Sequence, residues 1–254
     1  MNILFIGDVV SFRACEYLRG HLGAIKSKYN IDFCIANAEN SDDNNGVSKD
    51  SAQMLFMSGA DVLTSGNHVF KNRNIYDYFD ENENIIRPLN FPDICPGNGY
   101  VKVHCGKYSI MVVNIMGNVF MDPLNSPFYA VDKLLERESA DIIIVDFHAE
   151  ATSEKAAMGH YLDSRVSAVI GTHTHVQTAD EKILPHGSAY ITDVGMCGPK
   201  DSILGVKKEL IVEKFIKKMP VRFEFSESSI QIDGVVLRIS DECKVESIER
   251  VSIC

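Results

Sequence analysis

The sequence predicts an α/β fold: a sheet core with helical cover and a C-terminal run of antiparallel strands. Three observations predict it. Short apolar runs recur, each ending in small or polar residues. Stretches with apolar residues at helical spacing lie between several of them. From Val221 to Val251 the pattern turns to alternation. Strands alternating with helices argue for sheets covered by helices.

The elements follow in order. Ile3–Ile6 is an apolar strand, and Ala14–Tyr29 carries a helical pattern after it. Phe33–Ala36 is the next strand. Ser48–Ser58 reads as a helix, with Ser48 as its N-cap because a serine oxygen can accept a free first-turn N–H. Asp61–Leu63 is a short strand, followed by an irregular connection marked by Pro88, Pro92 and Pro96. Ser109–Asn114, Asp141–Asp146, Ala168–Ile170 and Ala189–Thr192 are further strands, with helical patterns at Ser126–Glu138 and Glu209–Lys218. The length and β-branched content of the strands suit burial on both faces. The final stretch contains VRFEF, SIQIDGVVLRI and KVESIERV, read as antiparallel strands. Asp233–Gly234 marks a turn or a bulge there. No linker or repeat interrupts the chain. The reading is one domain over 1–254, with 219–254 as a C-terminal β element packed on it.

Composition excludes several classes. The 254 residues are 45% hydrophobic and 24% charged, as in ordinary globular proteins. Lys and Arg number 25 against 35 Asp and Glu, a formal charge of −10. That balance argues against stable nucleic-acid or anionic-membrane binding, which needs clustered positive charge. The seven cysteines form no CxxC pair, so a reducing cytosol is expected rather than a disulfide framework. No signal peptide and no apolar run of about 20 residues is visible. The expectation is a cytoplasmic protein.

The informative residues sit where strands end. Ile3–Ile6 leads to Asp8, and Phe33–Ala36 to Glu39 and Asn40. Asp61–Leu63 leads to Gly66-Asn67-His68, Asp141–Asp146 to His148, and Ala168–Ile170 to Gly171-Thr172-His173-Thr174-His175. Carboxyl ends of strands form the ligand crevice in open α/β sheets. Taken singly, each residue has an ordinary reading as a turn or core residue. His173 and His175 are harder to explain by packing, because in extended chain they point to one side. Together, Asp8, Glu39, Asn40, Asn67, His148, His173 and His175 exceed one tetrahedral zinc. They fit two divalent ions sharing a carboxylate, and a nitrogen and oxygen set without thiolate suits Mn, Fe or Zn. Two ions about 3.5–4 Å apart can clamp the attacking and leaving oxygens of phosphoryl transfer. His21, His104, His160 and His186 lack such a setting. Asp42-Asp43-Asn44-Asn45 reads as a solvated loop. Phe12, Phe70 and Phe120 lie near candidate loops and are read as packing, with base stacking as the alternative.

The stretches ILFIGDVV, AEN, SGNH, VDFHAEATSEK, SAVIGTHTHVQTAD and ILPHGSAYITDVGM resemble the YmdB-like branch of the calcineurin-like metallophosphoesterases. The resemblance implies a two-sheet β-sandwich flanked by helices, with a dinuclear site at the sheet edge. It implies that Asp8, Asn40 and His175 hold one ion, that Asn67, His148 and His173 hold the other, and that Glu39 bridges. His68 would be the catalytic histidine. It further implies a homo-oligomer that hydrolyses 2′,3′-cyclic nucleotides to 3′-monophosphates, with 3′,5′-cyclic AMP as a second substrate. The small phosphodiester agrees with the acidic chain. Where relatives follow GDVV with a Gly-rich turn, this chain has Ser11-Phe12-Arg13-Ala14-Cys15. That departure motivates one alternative, a low-turnover regulatory protein that binds a nucleotide or an RNA-processing partner; a second, independent of it, is a phosphomonoesterase or nuclease on the same scaffold.

Overall fold

Residues 1–254 are described by a computed structural model. The first part gives β1 (Asn2–Ile6), β2 (Asp8–Val9), α1 (Phe12–Tyr29), β3 (Phe33–Asn37), α2 (Lys49–Ser58), β4 (Val62–Thr64) and α3 (Tyr76–Glu81). The middle gives β5 (Tyr100–Cys105), β6 (Tyr108–Met116), α4 (Pro127–Leu135), β7 (Ile142–His148), α5 (Thr152–Leu162) and β8 (Ala168–Thr172). The remainder gives β9 (Lys182–Ile183), β10 (Ala189–Ile191), β11 (Met196–Pro199), α6 (Lys208–Lys217), β12 (Ile230–Ile239) and β13 (Val245–Ile253).

Two sheets stack face to face. In the first, β1, β3 and β4 run parallel, β12 pairs antiparallel with β1, β11 and β13, and β2 pairs β11. In the second, β6, β7, β8 and β10 run parallel, with β5 and β9 antiparallel at the edges. Strand alternation explains the layers. Ile3 and Phe5 of β1 meet Ile110, Val112, Ile142 and Ile144 between the sheets. Leu4 and Ile6, on the opposite face, pack with Leu18 and Leu22 of α1. Met111, Val113 and Val145 pack outward with Val131 of α4 and Met158 of α5. Fully burying one such side chain contributes about 1.5–3 kcal/mol. Both faces of the central strands are therefore apolar, as their sequence requires.

Local signals match the helix ends. Ser48 caps α2 by accepting from the Ser51 N–H, while the Ser51 hydroxyl accepts from the Ser48 N–H at 3.0 Å. Helix α5 was not expected from the sequence. Its buried residues include Lys155 and Gly159 beside Met158 and Leu162, so its inward face does not read as apolar.

The C-terminal region differs from expectation in three ways. Residues 221–225 form no strand; Phe225 makes only an isolated bridge with Val206. Strands β12 and β13 belong to the first sheet itself rather than lying on it. Asp233–Gly234 is neither a turn nor a bulge but the middle of β12, where Gly234 pairs with both Ile6 and Val251. A Cβ on Gly234 would lie 2.6 Å from the Phe5 carbonyl oxygen, so close strand approach is what requires glycine there.

Candidate metal centre

Parallel pairing brings the carboxyl ends of β1, β3, β4, β7 and β8 to one edge of the sandwich. Glu39, just beyond β3, sits at the middle of the side chains gathered there. Its Oε2 lies 3.2 Å from His148 Nε2 and accepts from the His68 backbone N–H at 3.1 Å. Its Oε1 accepts from Asn40 Nδ2 at 2.8 Å. The two oxygens of one carboxylate thus face two groups of donors.

Around Oε2, His148 Nε2 is 3.0 Å from Asn67 Oδ1 and 3.0 Å from His173 Nδ1. On the other side, His175 Nε2 lies 3.7 Å from Asp8 Oδ1 and 3.3 Å from Asn40 Nδ2. Glu39, His148 and His173 offer ligand atoms within 4.8 Å of one another, and so do Asp8, Glu39 and His175. His68 stands beside both groups, its Nδ1 2.9 Å from Asn40 Oδ1. All eight residues singled out from the sequence therefore converge. His21, His104, His160 and His186 take part in neither group.

The residues fit a pair of cations. Asp8 Oδ1 is buried with no hydrogen-bond partner, an arrangement that native interiors avoid unless something else satisfies the atom. A Cβ on Gly66 would lie 2.3 Å from His148 Nε2 and 2.4 Å from Glu39 Oε2. Glycine at 66 keeps the space beside both atoms open. Anionic oxygens and imidazole nitrogens together are a donor set for divalent cations.

Electrostatics follow from burial and proximity. Burial raises Asp8, and the neighbouring His175 and His148 offset this only in part. Burial also pushes Glu39 up, but His148 and His68 outweigh it and hold the carboxyl well below its usual range. Burial alone lowers His148, yet Glu39 and Asp8 drive it up to about 9. His173, buried and next to His148, is pushed down to about 3. The buried carboxylates Glu39 and Asp8 thus make the cradle a place that favours positive charge.

A further layer, not found from the sequence, orients these groups. Thr172 Oγ1 donates to Asp146 Oδ1 at 2.7 Å and lies 2.9 Å from His148 Nδ1. With that hydroxyl proton committed to Asp146, the Thr172 oxygen accepts from Nδ1–H, which leaves the Nε2 lone pair facing the cradle. Asn37 Nδ2, at 2.9 Å, and the Thr64 hydroxyl also donate to Asp146. Burial lifts Asp146 to about 6. The available signal was its place two residues before His148, on the same face of β7. Asp193 holds the histidine loop, accepting from the Thr174 N–H at 2.9 Å and from buried Lys155 at 2.7 Å. His173 and His175 themselves have φ of 101° and 65°, left-handed conformations unusual outside glycine. Glu150 Oε2 lies 3.2 Å from His173 Nε2.

The flanking loops resolve other expectations. Ser11 has φ 77° and ψ 158°, a region that suits glycine, and its N–H donates to the Asn40 carbonyl. Asp42–Asn45 form a surface turn in which Asp43 Oδ1 accepts from the Phe12 N–H at 2.9 Å. Phe70 packs edge-on against Tyr76 and Phe91, and Phe120 points into solvent; neither lines the cavity over the cradle. The rings that do line it are Phe215, Phe223 and Phe225.

A family model described as YmdB-like protein matches residues 4–251. The chain belongs to the YmdB-like family. It is 45% identical over 256 residues to the 2′,3′-cyclic-nucleotide 2′-phosphodiesterase of Bacillus subtilis, covering all of this chain and 97% of that one. The crystal structure of a hypothetical protein from Thermus thermophilus superposes with a TM-score of 0.94 at 40% identity, covering 100% of this chain and 99% of that one. A phosphatase from Mycoplasma pneumoniae gives a TM-score of 0.94 at 34% identity, covering 100% and 93%. The two-sheet, helix-flanked sandwich is thus the architecture of this YmdB-like chain and of both solved structures. No helix in it is long and apolar enough to cross a membrane.

Proposed function

We propose that the chain is a dinuclear-metal phosphodiesterase that opens 2′,3′-cyclic nucleotides to 3′-monophosphates, with 3′,5′-cyclic AMP as a second substrate. The observation that carries this is Glu39, whose Oε1 and Oε2 face two separate donor groups. Asp8, Asn40 and His175 would hold one ion, and Asn67, His148 and His173 the other, with Glu39 common to both. Fe or Mn, with Zn as a further option, suits these donors. The activity of the 45% identical Bacillus enzyme supports the substrate class.

When bound, a pair of divalent ions lowers the pKa of water from 15.7 toward ~7 and neutralises charge on phosphoryl oxygens. The chain's own residues do the rest. Thr172 and Asp146 keep His148 aimed inward. His68 delivers a proton from its ring to the departing 2′ oxygen as that oxygen separates from phosphorus. Such general-acid assistance is worth about 10²–10⁴-fold. The seven free cysteines agree with a cytoplasmic setting, and we infer a homo-oligomer from the same resemblance.

The test is turnover of Mn-loaded protein on 2′,3′-cyclic AMP, 5′-AMP and a single-stranded oligonucleotide, with products separated by chromatography. The reading requires 3′-AMP as the main product. Preference for 5′-AMP makes the chain a monoesterase, and preference for the oligonucleotide makes it a nuclease. No turnover with two ions bound per chain leaves the regulatory role.

A further inference from the structure

A cavity of about 420 Å³ opens over the cradle, within the range of small-ligand sites. Its walls are of two kinds. Its lining includes the donors Glu39, Asn40, His68, His173 and His175. The same cavity is lined by Phe215 of α6 and Phe223 and Phe225 of the following segment, with Lys214 and Leu204. Phe215 is 64% exposed and Phe223 47% exposed. Helix α6 buries only Ile211, so it contributes little to the core that would account for its apolar residues. Lys214 Nζ lies 4.6 Å from the centre of the Phe223 ring, within cation–π range. Clustered exposed rings mark a contact surface rather than ordinary scatter.

We propose that α6 and the segment after it form the nucleobase wall of the site, with Phe215 and Phe223 stacking the base of the substrate. The proposal rests on the phosphodiesterase reading above. One cavity is lined by both the donors and the rings, so it has room for a ligand with its phosphate beside Glu39 and His68 and its remaining bulk against this wall. A nucleotide supplies both parts, an anionic phosphate for the cradle and a flat π face for the rings. Stacking tolerates every base, since each has a π face, so this wall selects for a base without selecting strongly among bases. The exposed rings lie outside the three packed cores, and their replacement leaves those cores intact.

The experiment compares Mn-loaded wild type, Phe215→Ala and Phe223→Ala on two substrates, 2′,3′-cyclic AMP and methyl riboside 2,3-cyclic phosphate, which lacks the base. The expected result is a KM for 2′,3′-cyclic AMP raised roughly 5- to 150-fold, the range for losing one base–aromatic stack, with kcat retained. The preference of wild type for the substrate with a base should shrink in proportion. Calorimetric titration with 3′-AMP gives a readout independent of turnover, and the variants should bind it more weakly. Unchanged KM and unchanged 3′-AMP affinity in both variants overturn the wall. If wild type hydrolyses neither substrate, the phosphodiesterase reading fails and the 3′-AMP titration alone decides the wall. If instead the variants bind 3′-AMP normally but sediment as smaller species than wild type, the rings belong to an interface between copies and the proposal is overturned.

Discussion

The Nδ1 of His68 lies 2.9 Å from the amide oxygen of Asn40. Asn40 therefore joins the histidine to the donor group containing Asp8 and His175. With the amide oxygen as its partner, His68 Nδ1 is the donor of that contact, which fixes the ring's orientation and leaves Nε2 to face the cavity. His68→Ala is expected to lower kcat about 10²–10⁴-fold while both ions stay bound. Steady-state kinetics beside elemental analysis checks this, and an unchanged rate at full metal loading removes His68 from the chemistry.

Glu39→Gln should weaken both ions together, because each carboxylate oxygen faces a different donor group. Elemental analysis after dialysis reads the result. Loss of one ion with full retention of the other contradicts a shared ligand.

Gly66→Ala should empty the cradle without unfolding the chain. The added Cβ would fall 2.3 Å from His148 Nε2 and 2.4 Å from Glu39 Oε2. Far-UV circular dichroism should match wild type while metal content drops. A fully loaded variant would show that those two side chains can retreat without cost.

Lys155→Met should destabilise the protein by about 3–5 kcal/mol, since it leaves Asp193 buried without its ion-pair partner. The urea midpoint measures it. A midpoint within error of wild type would mean that Asp193 is satisfied by the Thr174 and Gly195 N–H groups alone.

Ser11→Gly should stabilise the protein by about 1–3 kcal/mol. The serine occupies a backbone region suited to glycine, and its buried Oγ has no partner. A lower urea midpoint in the glycine variant would show that side-chain packing at Ser11 outweighs the backbone cost.

The donor residues were legible because each follows an apolar strand, and parallel strands carry their ends to one edge. Asp8, Glu39 and His148 needed no tertiary information beyond that rule. Asp146 and Thr172 were not legible as supports, since a polar residue inside an apolar strand does not announce its partner on the next strand. Helix α5 was hidden by buried Lys155, whose charge is matched by Asp193, distant in sequence. Phe223 and Phe225 alternate as a strand would, yet their rings line a cavity and the backbone makes only the isolated bridge to Val206, and alternation cannot distinguish these. Gly234 reads as a turn residue in isolation, but the cause is the approach of Phe5 from the far end of the sequence.

That same approach ties assembly to synthesis. β1, which leads directly into Asp8, has β12 as one of its two neighbours, and β12 begins at Ile230. On the ribosome, β1 must wait with an open flank until the more than 220 residues that separate it from β12 have emerged. Nascent chains stalled before β12 would keep Asp8 at the end of a strand with one flank unpaired.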